Sequence, residues 1–179
     1  DAFGDKATPE LELLLRENAE SFALGLQMVN ILKDVTDDRA RGVSFIPRTT
    51  IGRQKLTLAN FTDLENRERG HAAVSPLFDR ASAHLDGALR YALTIPPEHS
   101  GIRLFCLLPL WMAVRTLVVA RGSDAMFTPG APVKISREEV TEIILQCTRH
   151  AGDNEALHVA YQTLRHPDRK AAMGAAQRS

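Results

Sequence analysis

The 179-residue sequence contains only two cysteines and has no excess of either charge. Cys106 and Cys147 stand in separate apolar stretches and match neither a disulfide framework nor a zinc site, so we expect both to be buried thiols. Lys plus Arg equals Asp plus Glu at 22 each, without the basic excess typical of nucleic-acid-binding proteins. We therefore expect no nucleic-acid partner, and any electrostatic function has to be local.

Long uninterrupted apolar runs and transition-metal patterns are also missing. The most apolar stretch, residues 104–120, is interrupted by Pro109 and Arg115 before it reaches the roughly 20 residues that span a bilayer, so we interpret it as a buried helix. The six histidines are scattered and form no close pair. No glycine-rich dinucleotide loop is present either.

Helical periodicity dominates the sequence and strand alternation is nearly absent, which predicts an all-α fold. Thr8, Pro9 and Glu10 are a typical helix start, and Gly42 with Pro47 marks its end, which predicts one helix to Arg41. Further helices are expected at about 58–68, at 72–93, at 102–120, from Ser136 through Cys147, and within 152–165. Ser136 and Glu139 have the spacing of a capping box. We expect one helical domain over 1–165 and a flexible tail over 166–179.

A polar stripe on the first helix is the most informative feature. At 3.6 residues per turn, its five members fall within an arc of roughly 80°: Gln27, Asn30, Asp34, Asp38 and Arg41. We expect the stripe to face the interior. Two carboxylates one turn apart repel each other, so a cation is expected between them, and Mg²⁺ suits one or two carboxylates completed by water and phosphate oxygens. The alternative is an ordinary solvated helix face.

The stripe belongs to a longer motif that resembles the second aspartate-rich motif of squalene and phytoene synthases. The family pattern is approximately Q-x-x-N-I-x-R-D-x-x-x-D, then an Arg/Gly-rich stretch and an aromatic residue two before a proline. The matching positions here are Gln27, Asn30, Ile31, Lys33, Asp34, Asp38, Arg41, Gly42, Phe45 and Pro47. Lys33 replaces the usual Arg, and Val43 stands where Arg is frequent. The resemblance implies that Asp34 and Asp38 are catalytic Mg²⁺ ligands, and that Gln27, Asn30, Lys33, Arg41 and Phe45 contact substrate.

A second segment is similar to the F-C-x-x-P-x-x-M-A-x-x-T-L run of squalene synthases, which favours that branch of the family. It comprises Phe105, Cys106, Pro109, Met112, Ala113, Thr116 and Leu117. The resemblance implies that Phe105, Cys106, Pro109 and Met112 line a prenyl pocket, and a proline inside a helix tends to kink it and open such space. Without the resemblance, an aromatic and Met stripe is simply core.

A third segment, Val133-Lys134-Ile135-Ser136-Arg137, resembles the V-K-I-R-K segment that squalene synthases use near their nicotinamide cofactor. Ser136 replaces a basic residue of that pattern. The resemblance implies that Lys134 and Arg137 contact a phosphate of NADPH. A solvated helix start is the alternative.

Taken together, the resemblance implies the C-terminal portion of a class I isoprenoid synthase, a helical bundle around a central cavity. Two farnesyl diphosphates would condense head to head through presqualene diphosphate, and NADPH would reduce the product to squalene. Nothing upstream of Asp34 matches the family's first aspartate-rich motif, so we expect a missing N-terminal half of the same fold and little turnover by this chain alone. We expect a cytoplasmic location with peripheral membrane association. Phytoene or dehydrosqualene synthesis, and a catalytically inactive helical binding module, stay open as alternatives.

Overall fold

A computed structural model describes residues 8–166 of the chain. That part contains no β-strand, which confirms the all-α prediction. Its helices, in chain order, are α1 (Pro9–Lys33), α2 (Val35–Ala40), α3 (Arg48–Gly52), α4 (Arg67–Thr94), α5 (Ser100–Ala120), α6 (Arg137–His150) and α7 (Asn154–Arg165). Short 3₁₀ turns occupy Leu64–Asn66 and Asp124–Phe127. All of the predicted tail except His166 lies outside the described residues.

The first helix begins as predicted but does not run unbroken to Arg41. The Thr8 hydroxyl accepts a hydrogen bond from the Leu11 amide at 3.1 Å. α1 ends at Lys33, because Asp34 adopts φ −104° and ψ 16°, outside the helical region. The Asp34 amide still donates to the Asn30 carbonyl at 3.1 Å, so the axis is interrupted while the backbone stays paired. A one-residue irregularity of this kind leaves no trace in the periodicity of the sequence.

The segment between α2 and α4 differs from the prediction of a short helix at about 58–68. It contains α3 and a 3₁₀ turn instead. The Asn60 side chain accepts from the Thr57 amide at 2.8 Å, and the Asn66 side chain donates to the Asn60 carbonyl at 3.1 Å. Such side-chain bonds to the backbone compete with helix formation, which explains why the prediction was wrong.

The helix predicted over 72–93 is confirmed as α4, which is longer and packs closely against α1. A Cβ atom added at Gly87 of α4 would lie 2.5 Å from the Cβ of Ser21. At the same interface, a Cβ on Gly25 of α1 would lie 3.1 Å from Leu85. The two glycines therefore let the helix backbones approach more closely than larger residues would allow.

α5 occupies the centre of the fold and contacts α1, α4, α6 and α7. Trp111, Leu107 and Leu110 are fully buried on it. The helix predicted over 102–120 is confirmed as α5, and it continues through Pro109 and Arg115. A proline removes one backbone bond, and Arg115 forms an ion pair with Glu139 of α6. Among residues 8–166, α5 is the one helix whose length and composition would suffice to cross a membrane.

α6 and α7 pack against α5, and the predicted start of α6 agrees with the structure. The capping box is confirmed, since the Ser136 amide donates to Glu139 Oε2 at 2.8 Å and the Glu139 amide donates to Ser136 Oγ at 3.1 Å. The buried Tyr161 of α7 donates to Asp86 of α4 at 2.9 Å. Burial and this carboxylate raise the pKa of the Tyr161 phenol well above its ordinary value.

The α1/α4 interface yields a stability prediction. Gly87→Ala should lower the free energy of unfolding by about 1 to 3 kcal/mol, because the new methyl group overlaps the rigid Cβ of Ser21. Urea unfolding followed by circular dichroism measures the change. Gly101→Ala is the matched control, since nothing lies within 4 Å of its added Cβ and the helix should gain or keep stability. Equal effects of the two substitutions would contradict the close packing.

Candidate functional site

The predicted polar stripe lies on the outer side of α1 and α2. Gly25, Val29 and Leu32 are buried on α1, and they project from the side opposite to the stripe. Gln27, Asn30 and Arg41 are exposed, and Asp34 and Asp38 are half-buried. The expectation that the stripe faces the interior is therefore wrong for the described residues, because the apolar side of α1 faces α4.

Each of the two carboxylates has a cationic neighbour. Lys33 Nζ lies 2.6 Å from Asp34 Oδ2, and Arg41 Nη1 lies 3.8 Å from Asp38 Oδ1. The Asp38 side chain is only 15% exposed, whereas that of Arg41 is 74% exposed. The positive charge that the sequence demands near the two carboxylates is thus supplied, in this structure, by the chain's own side chains.

The carboxylates of Asp34 and Asp38 could provide part of the ligand shell of a magnesium ion. Asp34 and Asp38 provide hard oxygen ligands one helical turn apart, and the Asp38 amide donates to the Asp34 carbonyl at 2.8 Å. Within residues 8–166 no group of three or more His, Cys, Asp or Glu side chains could hold a metal ion. The pair therefore fits Mg²⁺ as one side of a shell that substrate, water or further carboxylates complete.

Sequence reasoning missed Arg39, whose side chain joins α2 to the loop before α4. Its guanidinium donates to Thr62 Oγ1 and to the Ala59 carbonyl, and Nη1 lies 3.4 Å from Asp63 Oδ1. The partners are 20 or more positions away along the chain, and no local pattern identifies them. Arg39 is directly adjacent to Asp38, so this contact bears on the position of that carboxylate.

Phe45 follows α2 in the loop that begins at Gly42. Gly42 has a φ of 77°, the left-handed conformation expected where the helix ends. Phe45 is 58% exposed, whereas the next residue, Ile46, is buried in the core. Ile46 therefore holds this loop against the protein while the Phe45 ring stays on the surface.

The four residues predicted to line a prenyl pocket divide into two groups on α5. Phe105, Pro109 and Met112 share one side of the helix, where Phe105 is 79% exposed and the other two are half-buried. Cys106 is buried in the core, as the sequence suggests for both cysteines. Burial raises the pKa of the Cys106 thiol. Three of the four side chains thus form an accessible apolar surface, and Cys106 packs beneath it.

Lys134 and Arg137 lie at the start of α6. Both are exposed, and Ser136 between them is the N-cap of the helix. The acidic Glu138 and Glu139 follow in the first turn. The start of α6 thus carries two cations and two carboxylates close together in the sequence.

Two clefts lie away from the predicted site residues. One of about 710 Å³ runs between α6 and α7 and includes Ile143, Arg149 and Val159. The other, of about 480 Å³, lies among α4, α5 and α7 and includes Ser82, Arg121 and Arg165. None of the predicted substrate, metal or cofactor residues lines either cleft.

Comparison with known proteins identifies the family to which this chain is similar. Residues 3–139 match the squalene/phytoene synthase family model. Squalene synthase of Eremothecium gossypii is 31% identical over 133 residues, which cover 74% of this chain and 29% of that protein. The bovine (Bos taurus) squalene synthase is 24% identical over 150 residues, which cover 84% of this chain and 35% of that protein. The chain therefore spans about a third of the length of these relatives.

The comparison with solved structures agrees with the comparison of sequences. A solved complex of TcSQS with the ligand E5700 superimposes with a TM-score of 0.71 at 21% identity, covering 84% of this chain and 43% of that one. At this identity the likeness shows the fold, an all-α bundle of the terpenoid synthase type. Since the family model also extends over the aspartate stripe and α5, the chain belongs to the squalene/phytoene synthase family.

Proposed function

We propose that this chain binds prenyl diphosphate and Mg²⁺ through the aspartate stripe of a squalene synthase-like prenyltransferase. The observation that supports the proposal is the placement of Asp34 and Asp38, one turn apart, half-buried and accessible, on a segment that the family model matches. Farnesyl diphosphate is the proposed substrate, as the resemblance to squalene synthases implies.

The charges beside the two aspartates suit this role. Bound Mg²⁺ would neutralise the charge that develops on departing diphosphate. Lys33 and Arg41, which pair with the carboxylates in this structure, would turn to the phosphate oxygens once the aspartates hold the metal. The exposed amides of Gln27 and Asn30 would donate to the same oxygens. Lys33 offers a point charge in place of the planar fork of the family's usual Arg.

The apolar surface of α5 suits the hydrocarbon. Phe105, Pro109 and Met112 are accessible on one side of the helix, and they would shield a prenyl chain and its allylic cation from water. Phe45 offers a further exposed ring in the loop after α2. Loose association with a membrane surface is proposed with this role, because the substrate tail partitions into lipid.

For the complete reaction we propose head-to-head condensation of two farnesyl diphosphates to squalene. The residues that would hold NADPH are Lys134 and Arg137. Turnover would also require the family's first aspartate-rich motif, since residues 8–166 provide two of the expected carboxylates and no larger metal-binding group. Phytoene and dehydrosqualene synthesis use the same motif without the final reduction, and an inactive binding module would use it without chemistry.

The metal site gives a binding prediction. Asp34→Asn and Asp38→Asn should each weaken Mg²⁺-dependent binding of farnesyl diphosphate by roughly tenfold or more, because each removes a charged ligand to the metal. Isothermal titration calorimetry with and without Mg²⁺ measures the effect. Glu17→Gln removes an exposed carboxylate from α1 outside the stripe and should leave binding unchanged. Unchanged binding by both aspartate variants would favour the inactive module.

The reductant gives a separate prediction. Lys134→Gln and Arg137→Gln should each weaken NADPH binding by roughly tenfold, since a charge-assisted hydrogen bond contributes about 1.5 to 3 kcal/mol. Titration followed by NADPH fluorescence measures it, and Arg80→Gln, an exposed arginine of α4, is the control. If neither substitution changes the affinity, the NADPH assignment is wrong and synthesis without reduction becomes the better proposal.

A further inference from the structure

Asp38 belongs to a helix that is too short to hold its own position. α2 has six residues, and isolated helices of that length are not stable in water. Asp34, the residue that joins it to α1, has a non-helical backbone, so α2 is not a rigid continuation of α1. The position of the Asp38 carboxylate relative to Asp34 therefore depends on what holds α2.

Two sets of contacts hold α2. Val35 and Thr36 are buried at its start, which fixes the end nearest to α1. At its other end, Arg39 bridges to the loop before α4 through Thr62, Ala59 and Asp63. Arg39 is directed to these partners and not to Asp38, whose cationic neighbour is Arg41.

The loop that contains the partners of Arg39, residues 59–63, is itself well packed against the protein. Thr62 is 6% exposed and Phe61 is 1% exposed. The Phe61 ring meets Phe127 edge to face at a centroid distance of 6.2 Å. A Cβ added at Gly70 would lie 2.5 Å from the Phe61 carbonyl, so the loop is seated directly on α4. Arg39 thus connects α2 to a well-packed support.

We propose that Arg39 is a positioning residue that sets the Asp38 carboxylate for metal binding, an inference that rests on the proposed function. The planar guanidinium makes bonds in more than one direction at once, which a lysine ammonium on a flexible stem does not reproduce. Mg²⁺ demands nearly ideal octahedral geometry, so a small displacement of α2 lowers its affinity. Arg39 acts without touching metal or diphosphate.

The experiment measures the Mg²⁺ concentration that gives half-maximal binding of inorganic diphosphate, by calorimetry, for wild type and variants. Arg39→Ala should raise that concentration roughly 10-fold to 100-fold, the usual effect of removing a residue that orients a metal ligand. Arg39→Lys should recover only part of the loss. Arg53→Ala, at the exposed arginine that follows α3, should behave as wild type.

A double-mutant cycle separates positioning from a general loss of structure. In an Asp38→Asn background, Arg39→Ala should have little further effect, because the carboxylate that it positions is gone. An undiminished effect there would overturn the inference. Thr62→Val, which removes one acceptor and keeps the side-chain shape, should shift the Mg²⁺ requirement in the same direction even if Arg39→Ala does not fold.

The outcomes distinguish this inference from the proposed function. If wild type shows no Mg²⁺-dependent diphosphate binding, the proposed function fails and the role of Arg39 fails with it. If wild type binds and Arg39→Ala and Thr62→Val bind equally well, the proposed function stands and only the positioning role is overturned.

Discussion

The close contact between α1 and α4 is the constraint on which the rest of the structure depends. A β-carbon has no space at Gly87 and only tight space at Gly25, so α1 presents its small and apolar side to α4 in one orientation. The opposite side, with Gln27, Asn30 and Asp34, then has to face outward. The outward position of the polar stripe is therefore a consequence of backbone packing.

The two aspartates, Asp34 and Asp38, are held in position in different ways. Asp34 lies at the end of a long, well-packed helix, whereas Asp38 lies on a short helix held by buried residues and by the bonds of Arg39 to Thr62 and Ala59. Both carboxylates already have cationic neighbours, which reduces the repulsion between them. In the proposed function, Mg²⁺ would take the place of these two cations beside the carboxylates.

α5 connects α1 to the remainder of the fold. It packs against α1, α4, α6 and α7, and it buries Trp111 and Leu107 while leaving Phe105 on the surface. One helix thus supplies both core and an accessible apolar surface. The ion pair between Arg115 and Glu139 shows how it accepts a charge within this apolar stretch.

The sequence by itself determined the all-α class, the helix starts at Thr8 and Ser136, and the family, because periodicity, capping and the aspartate motif are local signals. Only the three-dimensional structure shows the break at Asp34 and the partners of Arg39. The partners of Arg39 lie 20 or more positions away in the chain, and no short sequence pattern records a contact over that distance. The outward direction of the stripe belongs to this second group, since it follows from which side of α1 could approach α4.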